Sequence, residues 1–140
     1  MKVFIDSNVW LRFVLADNEE IYRQCREFFL RVEEGKIRPY TSTIVLIEIY
    51  FVLVSVYKIP PRSAIRDLEK ILAARGLTLV EKTNFQKALV LHKKISIKLT
   101  DCLIATQMPE KSILISYDRD FKKIEKFPLS TPGEIIEKFT

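Results

Sequence analysis

The sequence has few cysteine, histidine, glycine and proline residues, and each shortage excludes a class of protein. Two cysteines and one histidine are too few for a disulfide framework or a cysteine–histidine metal cluster. Three glycines and six prolines, with no low-complexity tract, argue against a disordered chain. The apolar run from Ile44 to Tyr57 is shorter than the roughly 20 residues that cross a bilayer. An acid as early as Asp6 argues against a signal peptide. We therefore expect one globular domain over residues 1–140 in the cytoplasm, with no membrane partner.

Strand and helix patterns alternate along the chain. Short apolar segments predict strands at 2–6, 37–41, 77–81 and 112–116. Helical spacing of apolar residues predicts helices at 9–14, 17–34, 43–57, 61–75, 84–95, 101–108, 118–124 and 132–139. Ser7 or Asn8 is the expected cap of the first helix, and Thr100 that of the helix from 101. This alternation predicts a parallel α/β sheet with helices on both faces, in which function collects at the carboxyl ends of the strands.

The segment 43–57 supports two interpretations. Its many β-branched residues favour a strand, whereas its length favours a helix over a strand of five or six residues. We predict a helix. One charge, Glu48, interrupts the apolar run from Ile44 to Val54, and no lysine or arginine lies within a helical turn of it. An unpaired carboxylate in such surroundings is costly, so Glu48 either reaches the surface, meets a metal ion or has a partner distant in sequence.

Four acids can converge on the carboxyl end of the sheet. Asp6 ends the first strand, Asp118 follows the fourth, Asp101 begins a helix, and Glu48 lies on a helix that can cross the same end. Singly, the three aspartates are explained by caps and turns. Together, such carboxylates would repel one another unless a divalent cation joined them, and hard oxygen ligands select Mg²⁺ or Mn²⁺. The net charge of +5 suits a polyanionic substrate.

The motifs carry a family resemblance over nearly the whole chain. They are Asp6-Ser7-Asn8, the isolated Glu48, Thr100-Asp101-Cys102-Leu103-Ile104-Ala105 and Ile115-Ser116-Tyr117-Asp118-Arg119-Asp120-Phe121. In this order they resemble the PIN-domain ribonucleases, and the chain's size is similar to that of VapC-type toxins of toxin–antitoxin pairs. One departure is Thr106, where family members often have a second alanine after the Asp101 motif. It touches helix packing and no ligand.

The resemblance implies a three-layer α/β/α sandwich, with a parallel sheet of five strands where the pattern alone shows four. It implies that Asp6, Glu48, Asp101 and Asp118 hold one or two Mg²⁺ or Mn²⁺ ions, directly or through water. Asp120 is then a fifth acid, and the sequence leaves open whether it or Asp118 is the closer ligand. Asn8 and Ser116 are expected to orient carboxylates or water around the metal.

The function expected from this resemblance is metal-dependent hydrolysis of RNA by a toxin with a cognate antitoxin. The residues expected to hold RNA phosphates are Arg12, Lys98, Arg119 and Lys122. The apolar surplus at 50–57, with the resemblance, makes a homodimer the expected assembly. The alternatives are a housekeeping RNA-processing or ribosome-maturation nuclease and a non-catalytic α/β interaction module. A haloacid-dehalogenase-like phosphatase is disfavoured because position 8 is asparagine where that chemistry needs a second aspartate.

Overall fold

The first strand of the chain lies at the centre of a parallel sheet. The computed structural model describes residues 1–15 and 19–140. Within those residues the strands are β1 (Lys2–Ile5), β2 (Arg38–Ser42), β3 (Thr78–Val80), β4 (Ser112–Ile115) and β5 (Leu129–Ser130). Their order in the sheet is β3-β2-β1-β4-β5, and every neighbouring pair is parallel. The predicted parallel α/β sheet, with five strands as the resemblance implied, is confirmed.

Helices connect the strands on both sides of this sheet. They are α1 (Ser7–Leu15), α2 (Glu19–Glu33), α3 (Thr43–Phe51), α4 (Pro61–Leu72), α5 (Phe85–Lys94), α6 (Leu99–Gln107) and α7 (Pro132–Ile136). The connections through α1 to α4 step toward one edge of the sheet, and the connection through α5 and α6 steps back. Because such connections are right-handed, the two sets of helices cover opposite faces. The predicted start of the second helix at residue 17 lies outside the described residues.

The ambiguous segment 43–57 is helical, as predicted. Helix α3 begins after Ser42, whose side chain accepts a hydrogen bond from the Val45 amide at 3.3 Å, and it continues as one π-helical turn over Val52–Val56. Val45, Ile49 and Leu53 are fully buried at a spacing of four residues, which fixes the inner face of the helix. The other side carries exposed apolar residues.

Two predicted helix caps are wrong. Helix α1 begins at Ser7 itself, and the Asp6 carbonyl accepts its first backbone hydrogen bonds, so neither Ser7 nor Asn8 is the cap. Helix α6 begins at Leu99, two residues earlier than predicted, so Thr100 lies inside its first turn. Sequence preference for a cap was overruled in both places by the course of the backbone. In the described part of the chain no helix is both long and apolar enough to cross a membrane.

Candidate active site

The order of the strands creates a crevice at the carboxyl end of β1 and β4. The chain leaves β1 toward β2 on one side, while β4 lies on the other side and leads to β5, so the connections diverge between β1 and β4. Ligands of open α/β sheets bind at such a switch point. Ile5 pairs with Ile115 in the register, and the Asp6 amide donates to the Ile115 carbonyl at 3.0 Å. Asp6 and Ser116 therefore lie side by side where the two strands end.

The Asp6 carboxylate is buried and held by several donors. Its Oδ1 accepts from the Ser7 amide at 2.8 Å, and its Oδ2 accepts from Ser116 Oγ at 2.8 Å and Asn8 Nδ2 at 3.4 Å. These bonds stabilise the ionised form, but burial outweighs them and raises the pKa of Asp6 to about 6, with smaller increases from Glu48 and Asp118. The side chain thus has a fixed orientation and an unfavourable negative charge.

Ser116 and Asn8 connect Asp6 to the segment that follows β4. The Ser116 hydroxyl donates to Asp6 and accepts from Asn8 Nδ2 and from the Asp118 amide, each at 3.0 Å. Asn8 Oδ1 accepts from the Tyr117 amide at 3.0 Å. The structure therefore brings Asn8 and Ser116 together with Asp6, and they link the start of α1 to the end of β4.

Glu48 has a partner distant in sequence, a hydroxyl group. Its side chain is partly buried, and its Oε1 accepts a short hydrogen bond from Ser7 Oγ. Within residues 1–15 and 19–140 no lysine or arginine forms an ion pair with it. Ser7 thus contacts two acids at once, Asp6 through its amide and Glu48 through its hydroxyl. Ser7 was expected only as a helix cap, and its contact with Glu48 has no signal in the sequence beyond a serine beside Asp6.

The pKa of Asp101 is raised further above its ordinary value than that of Asp6. It lies in the first turn of α6 and is 5% exposed, and its Oδ2 is buried without a hydrogen-bond partner. Burial first, then the charges of Asp6, Asp118 and Glu48, raise its pKa to about 7, while Lys98 opposes the increase. A buried carboxylate oxygen without a donor requires an explanation, and a catalytic role or an ion-binding role is among those that apply.

Asp118 and Asp120 occupy different positions. Asp118 Oδ1 caps the 3₁₀-helix Arg119–Lys123 by accepting from the Asp120 amide at 2.9 Å, and its charge acts on both Asp6 and Asp101. The Asp120 carboxylate is half-exposed and lies 3.6 Å from Lys123 Nζ. Asp118 therefore belongs to the group with Asp6, Glu48 and Asp101, whereas Asp120 lies at its edge.

The acids form an electrostatic cluster without a closed cage. Across the described ranges, no three histidine, cysteine, aspartate or glutamate side chains converge closely enough to enclose an ion. Like charges keep carboxylates apart when no cation is bound. The residues nevertheless fit a hard divalent cation, because the donors are carboxylate oxygens, one of them is buried without a partner, and burial disfavours the negative charges of Asp6 and Asp101.

The four residues predicted to contact RNA phosphates differ in how close they lie to this cluster. Lys98 is exposed and immediately precedes α6, and its charge reaches Asp101. Arg119 and Lys122 are exposed and line a cavity of about 250 Å³ together with Asp118. Arg12 acts on the other side, toward Cys25 and Tyr117, where its charge opposes the increase in their pKa.

Comparisons with known proteins give a family match and similar folds. The family model of the PIN domain matches residues 3–127. VapBC2 from Rickettsia felis, solved with a promoter DNA fragment, has 19% identity and a TM-score of 0.68, over 94% of this chain and 98% of that chain. VapBC-1 from nontypeable Haemophilus influenzae has 14% identity and a TM-score of 0.68, with the same coverage. PAE2754 from Pyrobaculum aerophilum has 12% identity and a TM-score of 0.65, over 97% of this chain and 86% of that chain. No curated protein matches the chain.

Proposed function

The chain belongs to the PIN domain family, whose members are nucleases, and from that premise we propose that it is a divalent-metal-dependent endoribonuclease and the toxin of a toxin–antitoxin pair. The observation that carries the proposal is the electrostatic coupling of Asp6 and Asp101, near the switch point of the sheet, to each other and to Glu48 and Asp118. Their charges act on one another, and no ion pair with the described lysines and arginines offsets them.

We propose that these four carboxylates hold Mg²⁺ or Mn²⁺, with Asp120 outside the ligand set. The buried Oδ2 of Asp101 is the group most in need of a cation, because no other donor reaches it. A bound divalent ion would supply an activated water and stabilise charge at the phosphodiester. Calorimetric titration with Mn²⁺ would count the bound ions, one or two.

The chain's own residues keep the acids in position. Asp6 is held by the Ser7 amide and the Ser116 hydroxyl, and Ser116 is in turn oriented by Asn8. Glu48 is held by the Ser7 hydroxyl. Side chains fixed by a surrounding layer of hydrogen bonds keep the geometry that metal-dependent chemistry requires. Asn8, Ser116 and Ser7 therefore act as positioning residues.

RNA is the proposed substrate because the chain combines an acidic site with a basic body. The net charge is +5 even though the site itself is acidic, and Lys98, Arg119 and Lys122 are exposed around it. Basic side chains at the edge of a carboxylate site suit a polyanion that reaches the acids through a cation. Arg12 is a less direct candidate, because its charge acts toward Cys25 and Tyr117.

An antitoxin and a second copy of the chain are the proposed protein partners. Two of the structural relatives are VapBC proteins, which supports an antitoxin. We propose that the antitoxin binds in a largely apolar groove of about 760 Å³. Side chains of α1, α2 and α4 line this groove, including Trp10, Phe13 and Phe29. The exposed apolar side chains of Ile47 and Phe51 on α3 offer a separate surface for homodimerisation.

Metal-dependent cleavage of RNA by wild-type protein and two variants tests the nuclease proposal. We expect Asp6→Asn and Glu48→Gln to reduce cleavage of a fluorogenic single-stranded RNA by at least about 100-fold, as removal of a metal ligand or its support does. Asp67→Asn, which removes an acid that contacts Lys70 on α4, serves as the matched control and should cleave normally. Calorimetric titration of the wild type with Mn²⁺ should give one or two sites, and a non-catalytic module should give none.

Two results would refute the metal mechanism: cleavage that persists in excess chelator, or full activity of either variant. Growth assays then separate a toxin from a housekeeping nuclease. A toxin should arrest growth when expressed alone and be neutralised by the product of an adjacent gene, whereas a processing enzyme should do neither.

A further inference from the structure

A basic cleft lies beside the acidic cluster, between the end of α5 and the start of α6. Its volume is about 610 Å³. The residues that line it are His92, Lys93, Lys94, Ile95, Ser96, Ile97, Lys98 and Asp120. Three lysines thus face one acid, and Lys123 offsets that acid at 3.6 Å. The side chains that line the cleft therefore carry a net positive charge.

The walls of this cleft are held in place by short-range contacts. His92 Nδ1 lies 2.9 Å from the Ile97 carbonyl, which ties the last turn of α5 to the loop before α6. Ile97 is 5% exposed and packs in a small apolar cluster with Ala88 and Cys102. Lys123 Nζ donates to the Ser96 carbonyl at 3.2 Å. The loop that carries Lys98 is consequently anchored at both ends.

The lysines of the cleft form no ion pair with the part of the chain that the structure describes. Lys93, Lys94 and Lys98 are exposed, and among residues 1–15 and 19–140 none of them forms an ion pair. Like charges gathered in one concave surface repel one another and attract a polyanion. Among the described residues that line it, the cleft has no phenylalanine, tyrosine or tryptophan on which a base could stack, and its one imidazole, that of His92, is bound to the Ile97 carbonyl. Its chemistry therefore suits phosphates rather than bases.

The cleft adjoins the elements that carry two of the proposed catalytic acids, Asp101 and Asp118. Lys98 borders the cleft and immediately precedes the helix that carries Asp101, and Asp120 stands two residues beyond Asp118. We propose that this cleft binds the phosphate backbone of the RNA strand on one side of the bond to be cut, without reading its sequence. The inference rests on the proposed ribonuclease function and adds the path of the substrate.

The salt dependence of RNA binding tests this path. Binding of a fluorescein-labelled single-stranded RNA is measured in chelator, which prevents cleavage, over a series of KCl concentrations. Replacing Lys93 and Lys94 by glutamine should weaken binding by about 25-fold at 0.1 M salt and reduce the slope of log K against log salt by about 1.4. The loss should be the same for RNAs of unrelated sequence, because phosphates carry no sequence information.

A double variant of the same charge provides the control. Lys2 and Lys111 are exposed at the amino ends of β1 and β4, opposite the acids, and their replacement by glutamine changes the net charge equally. The control should keep most of the wild-type affinity. An equal loss of RNA affinity in both double variants would show that only net charge matters and would refute the proposed role of the cleft. Unchanged RNA binding by the variant at Lys93 and Lys94 would also refute it.

Cleavage separates a failure of the cleft from a failure of the nuclease. If wild-type protein cleaves RNA with Mn²⁺ while the variant at Lys93 and Lys94 binds normally, the proposed path is wrong and the nuclease stands. If wild-type protein shows no metal-dependent cleavage, the proposed function is wrong, whatever the binding data show. A loss of affinity confined to one RNA sequence would also overturn the proposal, since it would indicate base recognition.

Discussion

Replacing Asp101 by asparagine should stabilise the metal-free protein while it disables the site. The Asp101 carboxylate is buried at the start of α6, one of its oxygens has no donor, and three other acids act on it. Asparagine has the same shape without the charge, and its amide can donate to the neighbouring carboxylates. A buried carboxylate without a compensating charge costs stability, and its replacement makes that cost measurable.

The size of the stabilisation by Asp101→Asn, and its dependence on pH, follow from the pKa of Asp101. Because burial and the nearby acids raise the pKa of Asp101 from 3.8 to about 7, the folded chain holds this proton roughly a thousandfold more tightly than the unfolded chain, or by ~4 kcal/mol. The folded state therefore binds more protons, and stability is lost as pH rises from about 4 through 7. Above pH 7 the asparagine variant should be more stable than the wild type by about 2–4 kcal/mol. The lower figure applies if a neighbouring acid binds a proton and so weakens the repulsion on Asp101. Near pH 3 the difference should vanish.

Urea unfolding at pH 3, 5, 7 and 8 in chelator measures this difference. Asp120→Asn is the control, since it removes a half-exposed acid beside Lys123 and should change stability by less than about 1 kcal/mol. Added Mn²⁺ should stabilise the wild type and leave the Asp101→Asn variant nearly unchanged, because binding to the folded state alone raises its stability. A variant that is less stable than the wild type above pH 7, or a difference independent of pH, would refute the reasoning.

Two further predictions concern Ser7 and the exposed face of α3. Ser7→Ala should weaken Mn²⁺ binding and lower kcat by about 10- to 100-fold, and Ser7→Thr, which keeps the hydroxyl for Glu48, should restore both; equal defects in the two variants would indicate a merely structural role. Phe51→Glu should shift the protein toward monomer in sedimentation at micromolar concentration, while Phe85→Glu, at a similarly exposed phenylalanine on α5, should not. A wild type that is strictly monomeric would contradict the second prediction.

The main features of the fold could be predicted because they depend on local patterns. Alternating strand and helix patterns predicted the parallel sheet, and length decided correctly that 43–57 is a helix despite its β-branched residues. Strand β5 escaped because two residues, Leu129 and Ser130, are too few for a periodic pattern, and its pairing with Leu114 and Ile115 is set by the sheet. The predicted cap of α1 was wrong because a backbone group, the Asp6 carbonyl, accepts the first hydrogen bonds of the helix, and backbone groups leave no signal in the sequence.

The candidate site was predictable as a set of acids, and its hydrogen bonds were not. Asp6, Glu48, Asp101 and Asp118 could be chosen because each stands at a strand end, in a helix start or in apolar surroundings. The different surroundings of Asp118, which accepts from the Asp120 amide, and Asp120, which lies beside Lys123, depend on a turn that the sequence does not specify. The contact of Ser7 with Glu48 joins residues from two different helices, and sequence spacing carries no signal for it.

The central position of β1 decides when the site can exist. The hydrogen bond between Ser116 and Asp6 joins residues 110 positions apart, so the chain must be synthesised through Ser116 before it can form. Until β4 is available, one edge of β1 lacks its neighbour, and neither Ser116 nor Asp118 can approach Asp6. Long-range contacts of this kind form late, after the entropy of closing a large loop has been overcome. A growing chain on the ribosome therefore cannot bring these acids together until the residues through Asp118 have emerged.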